Sequence, residues 1–307
     1  MVNKITKKRL KNVLAYDGLK ILILSVIVCI VVVLIFNAFA KKPSDGQDFK
    51  LIVDDDLIYD YDEVDKFLDE LFQNGVDNGG FSYETLQGDF ISLRDNDESP
   101  KNYMLNSIYA ELTQDDVCVL QEEIYKQYIE QNNAVDIIAF IDNAFEFLFS
   151  EGLCDVDGNF NQQKVNDYFI RTRGNDSRFR TQEEIANGKA NELKRLQAIY
   201  RNATALKACF EAHPELLDER TYSYGDAQIT GKFAIVIGNL NGNAQTGRYA
   251  EKLFKRSYEN EDGETVYTTD GIYIAFGNNY AQNGDIIYEN LAFMYTLIKT
   301  YSTYITI

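Results

Sequence analysis

The chain has no tryptophan, one histidine, three prolines and four cysteines in 307 residues. A single imidazole excludes any two-histidine metal site within one chain. Four cysteines over this length exclude a small disulfide-stapled scaffold. Positive charge is also scarce. Thirty Lys and Arg face 48 Asp and Glu, giving a net charge of −18, so a nucleic-acid binder would work against its own field. What is present is globular in kind: 45% hydrophobic and 25% charged residues exclude collagen-like and wholly disordered chains. Tyr (21) and Phe (19) supply all the aromatic surface, and neither an internal repeat nor a low-complexity tract occurs.

The scarce positive charge is concentrated at the start. Lys4, Lys7, Lys8, Arg9, Lys11 and Lys20 are opposed only by Asp17 in a basic N-terminus, residues 1–20. The run from Ile21 to Ala40 then carries no charge. As a helix it would span about 30 Å, the thickness of a bilayer core. Basic residues before such a span place the N-terminus in the cytoplasm and send the remainder across. Two readings compete. One is an uncleaved single-pass signal anchor in the cell membrane. The other is a signal peptide removed after Ala40, where Ala38-Phe39-Ala40 has small-x-small spacing, leaving a secreted protein. The length of the apolar run and Lys41 directly after the site favour the anchor. Cys29 lies mid-span after Val28, which fits no lipid-attachment site and reads as a small hydrophobe. Residues 1–20 carry +5 and Lys41 and Lys42 a further +2, which leaves −25 on residues 43–307. So acidic a body stands off anionic headgroups.

Residues 41–48 read as a polar linker and 49–307 as one extracytoplasmic α/β domain. The spacing predicts a strand over 49–58 ending in an acidic turn. It predicts a helix over 62–74, capped by Asp62 and stopped by Gly75, with Val64, Phe67, Leu68, Leu71 and Phe72 on one face. A strand over 81–93, a helix over 102–112, a strand over 116–120 and a helix over 122–131 follow. That β-α-β-α-β-α order implies parallel strands covered by helices. Further helices are expected over 135–149, 162–170, 183–212 (ended by Pro214) and 285–301. A loop is expected over 171–182 and another over 238–247. Strands are expected over 231–237 and 271–276, with a hairpin over 258–267 turning at Asp262-Gly263.

The order of elements resembles the extracytoplasmic solute-binding proteins of ABC importers, in the form with two α/β lobes. Three places carry the likeness. One is the opening β-α-β-α-β unit, with Asp115-Asp116-Val117-Cys118-Val119-Leu120 feeding the 122–131 helix and then Asn133-Ala134-Val135-Asp136-Ile137. Another is the turn Asp157-Gly158-Asn159-Phe160-Asn161 before a helix. The third is the late strand 231–237 with a C-terminal helix. The resemblance implies a two-lobed parallel or mixed sheet body that holds a small polar ligand and meets a transporter. The chain departs from that family in being short, in having no lipid-attachment Cys, and in having no Trp to stack on sugars.

Candidate chemistry is thin. Asp54-Asp55-Asp56 with Asp60, Asp62, Glu63 and Asp65 offers the oxygen donors that suit Ca²⁺. Adjacent strand residues point to opposite faces, however, so the patch reads as a solvated strand end and the acidic first turn of a helix. Asp155-Val156-Asp157-Gly158-Asn159-Phe160-Asn161 fails the EF-hand register, because Leu153 and Lys164 fall at loop positions one and twelve, and reads as an Asp-Gly turn. Gly238, Gly242 and Gly247 match neither a Walker A loop nor a dinucleotide fingerprint; Arg248 beside them offers a charge for an anion, but the stretch reads as a surface loop. His213, beside Pro214, reads as a helix cap or a solvent-facing side chain. Cys118, Cys154 and Cys209 match no zinc spacing and read as buried thiols, with a Cys154–Cys209 bridge as the alternative. Asn175-Asp-Ser and Asn202-Ala-Thr fit the N-glycosylation pattern.

No catalytic, cofactor or metal residue is therefore assigned, and an enzyme is not expected. The expectation is a membrane-anchored binding domain of solute-binding type, with a ligand-free accessory or sensor subunit of a membrane complex as the alternative. Open α/β sheets bind ligands beyond strand carboxyl ends, which points to the loops near Asp54–Asp56, Gln121 and 238–247.

Overall fold

The computed structural model describes residues 20, 22–34, 48–54, 56–77, 87–92, 117–176, 179–277 and 284–305. The chain divides into two compact units, Met1–Lys42 and Pro43–Ile307. In the first, residues 22–34 are helical with their apolar side chains exposed. No helix among the described residues is long and apolar enough to cross a membrane. Ile21 and residues 35–40 of the expected span lie outside the described residues.

The second unit is α/β. Its main sheet is mixed, in the order β3-β1-β4-β9-β6-β5. The members are β1 (Asp48–Val53), β3 (Gln87–Ser92), β4 (Val117–Gln121), β5 (Leu217–Tyr224), β6 (Ala227–Val236) and β9 (Ile272–Phe276). β1 pairs in parallel with both β3 and β4, as the opening βα order implies. From there on each neighbour is antiparallel. A smaller sheet joins β2 (Ile58–Tyr59), β7 (Phe254–Glu259) and β8 (Thr265–Thr268).

Alternation along the strands splits the core between two faces. Leu51, Val53, Val117 and Val119 point to one face, beneath α1 (Tyr61–Asp77), α3 (Ile137–Ser150), α5 (Gln182–Ala212) and α6 (Gly284–Tyr301). Ile52, Cys118 and Leu120 point to the other, beneath Tyr125, Tyr128 and Ile129 of α2 (Glu122–Glu130). The described body is one compact unit, so the two lobes implied by the resemblance are not seen.

Several boundaries differ from the sequence reading for local reasons. The first expected strand is broken at Asp54 and resumes only as β2. Asp60, not Asp62, caps α1, its Oδ1 accepting the Asp62 and Glu63 N–H groups at 3.0 and 3.4 Å. The helix runs past Gly75, which is buried inside it. α4 (Gln162–Arg173) takes three residues from the expected 171–182 loop. Thr181 then starts α5 with a full capping box to Glu184. Strand β5 has no counterpart among the expected elements. It is an edge strand whose sequence LDERTYSY buries only Leu217 and Tyr222. The expected helix over 102–112 lies outside the described residues, as do 81–86 and 93 of the second expected strand.

Candidate functional site

β1, β4 and β6 point the same way, because β6 is antiparallel to β9, which is antiparallel to β4. Their carboxyl ends therefore share one edge of the sheet. Asp54 follows β1 there and is 6% exposed. Its Oδ1 accepts the Asp56 N–H and its Oδ2 the Gln121 N–H, both at 3.2 Å. Burial pushes its carboxyl up, against the pull of those two bonds. Asp54 thus staples the end of β1 to the end of β4. Asp55 lies outside the described residues. Among the described residues no group of three or more His, Cys, Asp and Glu is placed to hold a metal ion.

The 155–161 segment is a tight turn. Asp155 Oδ1 accepts from the Asp157 and Asn159 N–H groups at 3.0 and 2.9 Å, and Asn161 caps α4. The side-chain amide of Asn159 holds the Asp155 carboxyl below its usual range. Gly158 has φ +80°, and a Cβ there would sit 2.5 Å from the Tyr200 ring. Cys118, Cys154 and Cys209 are buried and in no disulfide, so the last two are not bridged. The His213 N–H bonds Cys209 O at 2.8 Å, while its ring lies 4.0 Å from that of Tyr304. Asn202 is buried on α5, so its glycosylation pattern is sterically closed; Asn175 is exposed.

The 238–247 loop leads to the most developed polar site. α1 begins at the carboxyl edge and α6 finishes there. The loop is closed on itself by Asn243, whose N–H bonds Arg248 O at 2.7 Å and whose Oδ1 accepts from Gln245 and Thr246. Three short bonds fix it to the end of α6 and the residues just after. Gly242 N–H donates to Tyr301 O (3.0 Å), Asn241 Nδ2 to Thr303 Oγ1 (2.9 Å), and Thr303 N–H to Asn241 Oδ1 (3.0 Å). Gly242 has φ +74° and packs its missing side chain against Tyr249.

Arg248 ties loop, α1 and α6 together. It is 5% exposed. Its Nε donates to Glu63, its Nη1 to Glu70 at 2.7 Å and its Nη2 to the Tyr301 hydroxyl at 2.9 Å. Tyr301 in turn donates to Glu63 at 2.8 Å, and the guanidinium lies 5.1 Å from the Tyr301 ring centre. Burial works against the Arg248 charge, yet the bonds to Tyr301 and Glu70 outweigh it and its pKa is raised. Burial raises the Tyr301 phenol too.

Above this cluster lies a groove of about 700 Å³. One wall is Lys66, Glu70 and Asn74 of α1, and the other is Thr296, Lys299 and Thr300 of α6. Asn243, Gln245, Thr246 and Arg248 form the loop side, and Ser302, Thr303 and Ile305 close the end. Among the described residues neither lysine is ion-paired, and Lys299 lies over the Tyr295 ring at 5.8 Å. A second cavity of about 520 Å³ is bounded by Tyr59, Asp60, Glu251, Lys252, Lys255 and Tyr267.

On the α2 face, Arg220 lies over Tyr125 and Tyr273, which stack at 4.5 Å. It holds Glu122 with two bonds (2.7 and 2.8 Å) and Asp218 with one (2.6 Å). The Arg220 bonds hold the Glu122 carboxyl below its usual range, and burial pushes Tyr273 up to about 12. These donors and acceptors satisfy one another, so the cluster reads as a clamp between α2 and β5.

Sequence reasoning singled out the loop and Arg248. It missed Lys66 and Lys299, which look like ordinary surface lysines on amphipathic helices. The polar run Lys299-Thr300-Tyr301-Ser302-Thr303 after an apolar helix was the available signal. Comparison with known proteins gives no family: no family model, no curated protein and no solved structure matches this chain.

Proposed function

We propose that this protein is a membrane-tethered, extracytoplasmic binding module, and that its ligand seat is the groove between α1, α6 and the 241–248 loop. The observation that carries the reading is the groove: a concave site of about 700 Å³ whose lining is almost wholly hydrogen-bonding side chains held by a buried arginine network. Such a lining suits a small polar solute. The tether rests on the basic, then uncharged, sequence of residues 1–40, and the exposed apolar helix over 22–34 is compatible with it. A role beside an ABC importer rests on the resemblance alone.

Two measurements test this. Protease added to intact cells making the full chain should degrade the body while sparing the N-terminal 20 residues; a body cut only after lysis overturns the location. A thermal-shift screen of the full chain in nanodiscs against polar solutes should give a hit that Asn243→Ala weakens. A hit unaffected by that change would place the ligand elsewhere.

The alternative of a ligand-free accessory subunit draws on the exposed Tyr61, Tyr224, Tyr249, Tyr258 and Tyr267. Tyrosine is favoured at protein interfaces. Crosslinking in intact membranes that captures only the lone chain argues against it.

A further inference from the structure

We infer that the groove selects a phosphate group. This rests on the reading of the groove as a ligand seat, and it adds the chemistry of what sits there. The Arg248 fork is already spent on Glu63, Glu70 and Tyr301. Bidentate capture of a carboxylate or a phosphate by an arginine fork is therefore closed off at this site. What remains for a ligand is two ammonium groups that make no ion pair among the described residues, Lys66 and Lys299, on opposite walls. Lysine is a compact point charge with three rotatable donors, which binds phosphate without needing a planar fork. The Thr303 hydroxyl accepts from Asn241 and so keeps its own hydrogen to donate. Among the described residues no aromatic ring lines the groove, so nothing there stacks on a base. Arg248 with its two glutamates sums to −1, and the two lysines bring the site to +1, inside a chain of −18. An anion is repelled by the body at large and accepted at this seat.

Phosphate reaches an extracytoplasmic site either free, as phosphate or a small monoester, or as a lipid headgroup diester. The test uses the full chain in nanodiscs. Inorganic phosphate and glycerol 3-phosphate are titrated with zwitterionic discs, and phosphatidylglycerol is added to the discs in a separate arm. The melting midpoint is the readout. Phosphate or its ester should raise the midpoint, and Lys66→Gln with Lys299→Gln should weaken the apparent affinity about tenfold or more, since a bond to a charged group is lost at each site. The unliganded midpoint should move little, because among the described residues neither lysine is ion-paired and Lys299 gives up only its contact with the Tyr295 ring. A lysine-dependent shift in the phosphatidylglycerol arm alone supports the same chemistry with the lipid as its source. No shift from any phosphate arm, or one that the double variant retains, overturns the inference. If a neutral polyol or peptide then shifts the midpoint and Asn243→Ala abolishes that shift, the groove stands without phosphate. If nothing binds, both readings fall.

Discussion

Replacing Arg248 by Ala should destabilise the body by about 3 kcal/mol, because it strands a carboxylate that the fold has buried. The two glutamates bear this unequally. The Glu70 side chain is 40% exposed and can turn to water, so its loss belongs with surface pairs at about 0.5 kcal/mol. The Glu63 side chain is 13% exposed and keeps only the Tyr301 O–H. Breaking a buried pair from one side costs about 3–5 kcal/mol, and that surviving bond puts Glu63 at the low end. For a body of this size the melting midpoint should fall by roughly 6–12 °C. Circular dichroism of the full chain in detergent measures it. Glu63→Gln should restore part of the loss in the Arg248→Ala background, because a neutral amide tolerates burial without a cation. A single variant that melts within about a degree of the parent, or a double variant that recovers nothing, would refute the argument that desolvated charge governs this corner of the fold.

Three other perturbations follow from the packing. Asp136→Ala should cost about 1–2 kcal/mol in chemical denaturation, since Asp136 Oδ1 caps α3 through Ile138 and Ala139 and its Oδ2 accepts from Lys232 of β6; no loss would remove its linking role. Gly158→Ala should cost about 2 kcal/mol, from left-handed backbone strain and displacement of the Tyr200 ring, and an unchanged denaturation midpoint would contradict that geometry. Burial pushes the Cys154 and Cys209 thiols up to about 11, so the folded state holds their protons more tightly than the unfolded chain. Their contribution is complete below the unfolded thiol value of about 8.5 and is lost as pH rises through 11, so Cys154→Ala with Cys209→Ala should flatten the alkaline limb of stability; an identical limb in the double variant would count against it.

What the sequence reveals and what it hides divides along physical lines. Val64, Phe67 and Leu71 recur at helical spacing and place α1, and Leu291, Met294 and Ile298 do the same for α6, because one buried stripe is a local signal. Asp262-Gly263 marks its hairpin because Gly263 takes φ +76°. β5 hides because an edge strand with charged residues carries almost no apolar pattern. The reversal from parallel to antiparallel pairing at β9 is invisible too, since strand direction is set by how the chain returns and not by strand composition. The candidate site was half legible. The Gly/Asn loop announces a surface turn, and Arg248 stands out beside it. Its partners do not, because Glu63 is 185 residues away and Glu70 is 178. Asp54 is disguised in a similar way: it reads as part of a solvated acidic run because its partner Gln121 lies 67 residues on.

The groove's opposing walls come from helices whose residues meet across a separation of 238 positions, as the Glu63–Tyr301 bond shows. Closing so large a loop is entropically late in folding, because little rewards the approach until both helices are in place. The groove is thus a product of the finished fold. A chain emerging N-terminus first would have all its sheet strands made before α6, and a lesion in that helix would disturb the groove wall and the core together, because Leu291, Met294 and Ile298 belong to both the helix and the core.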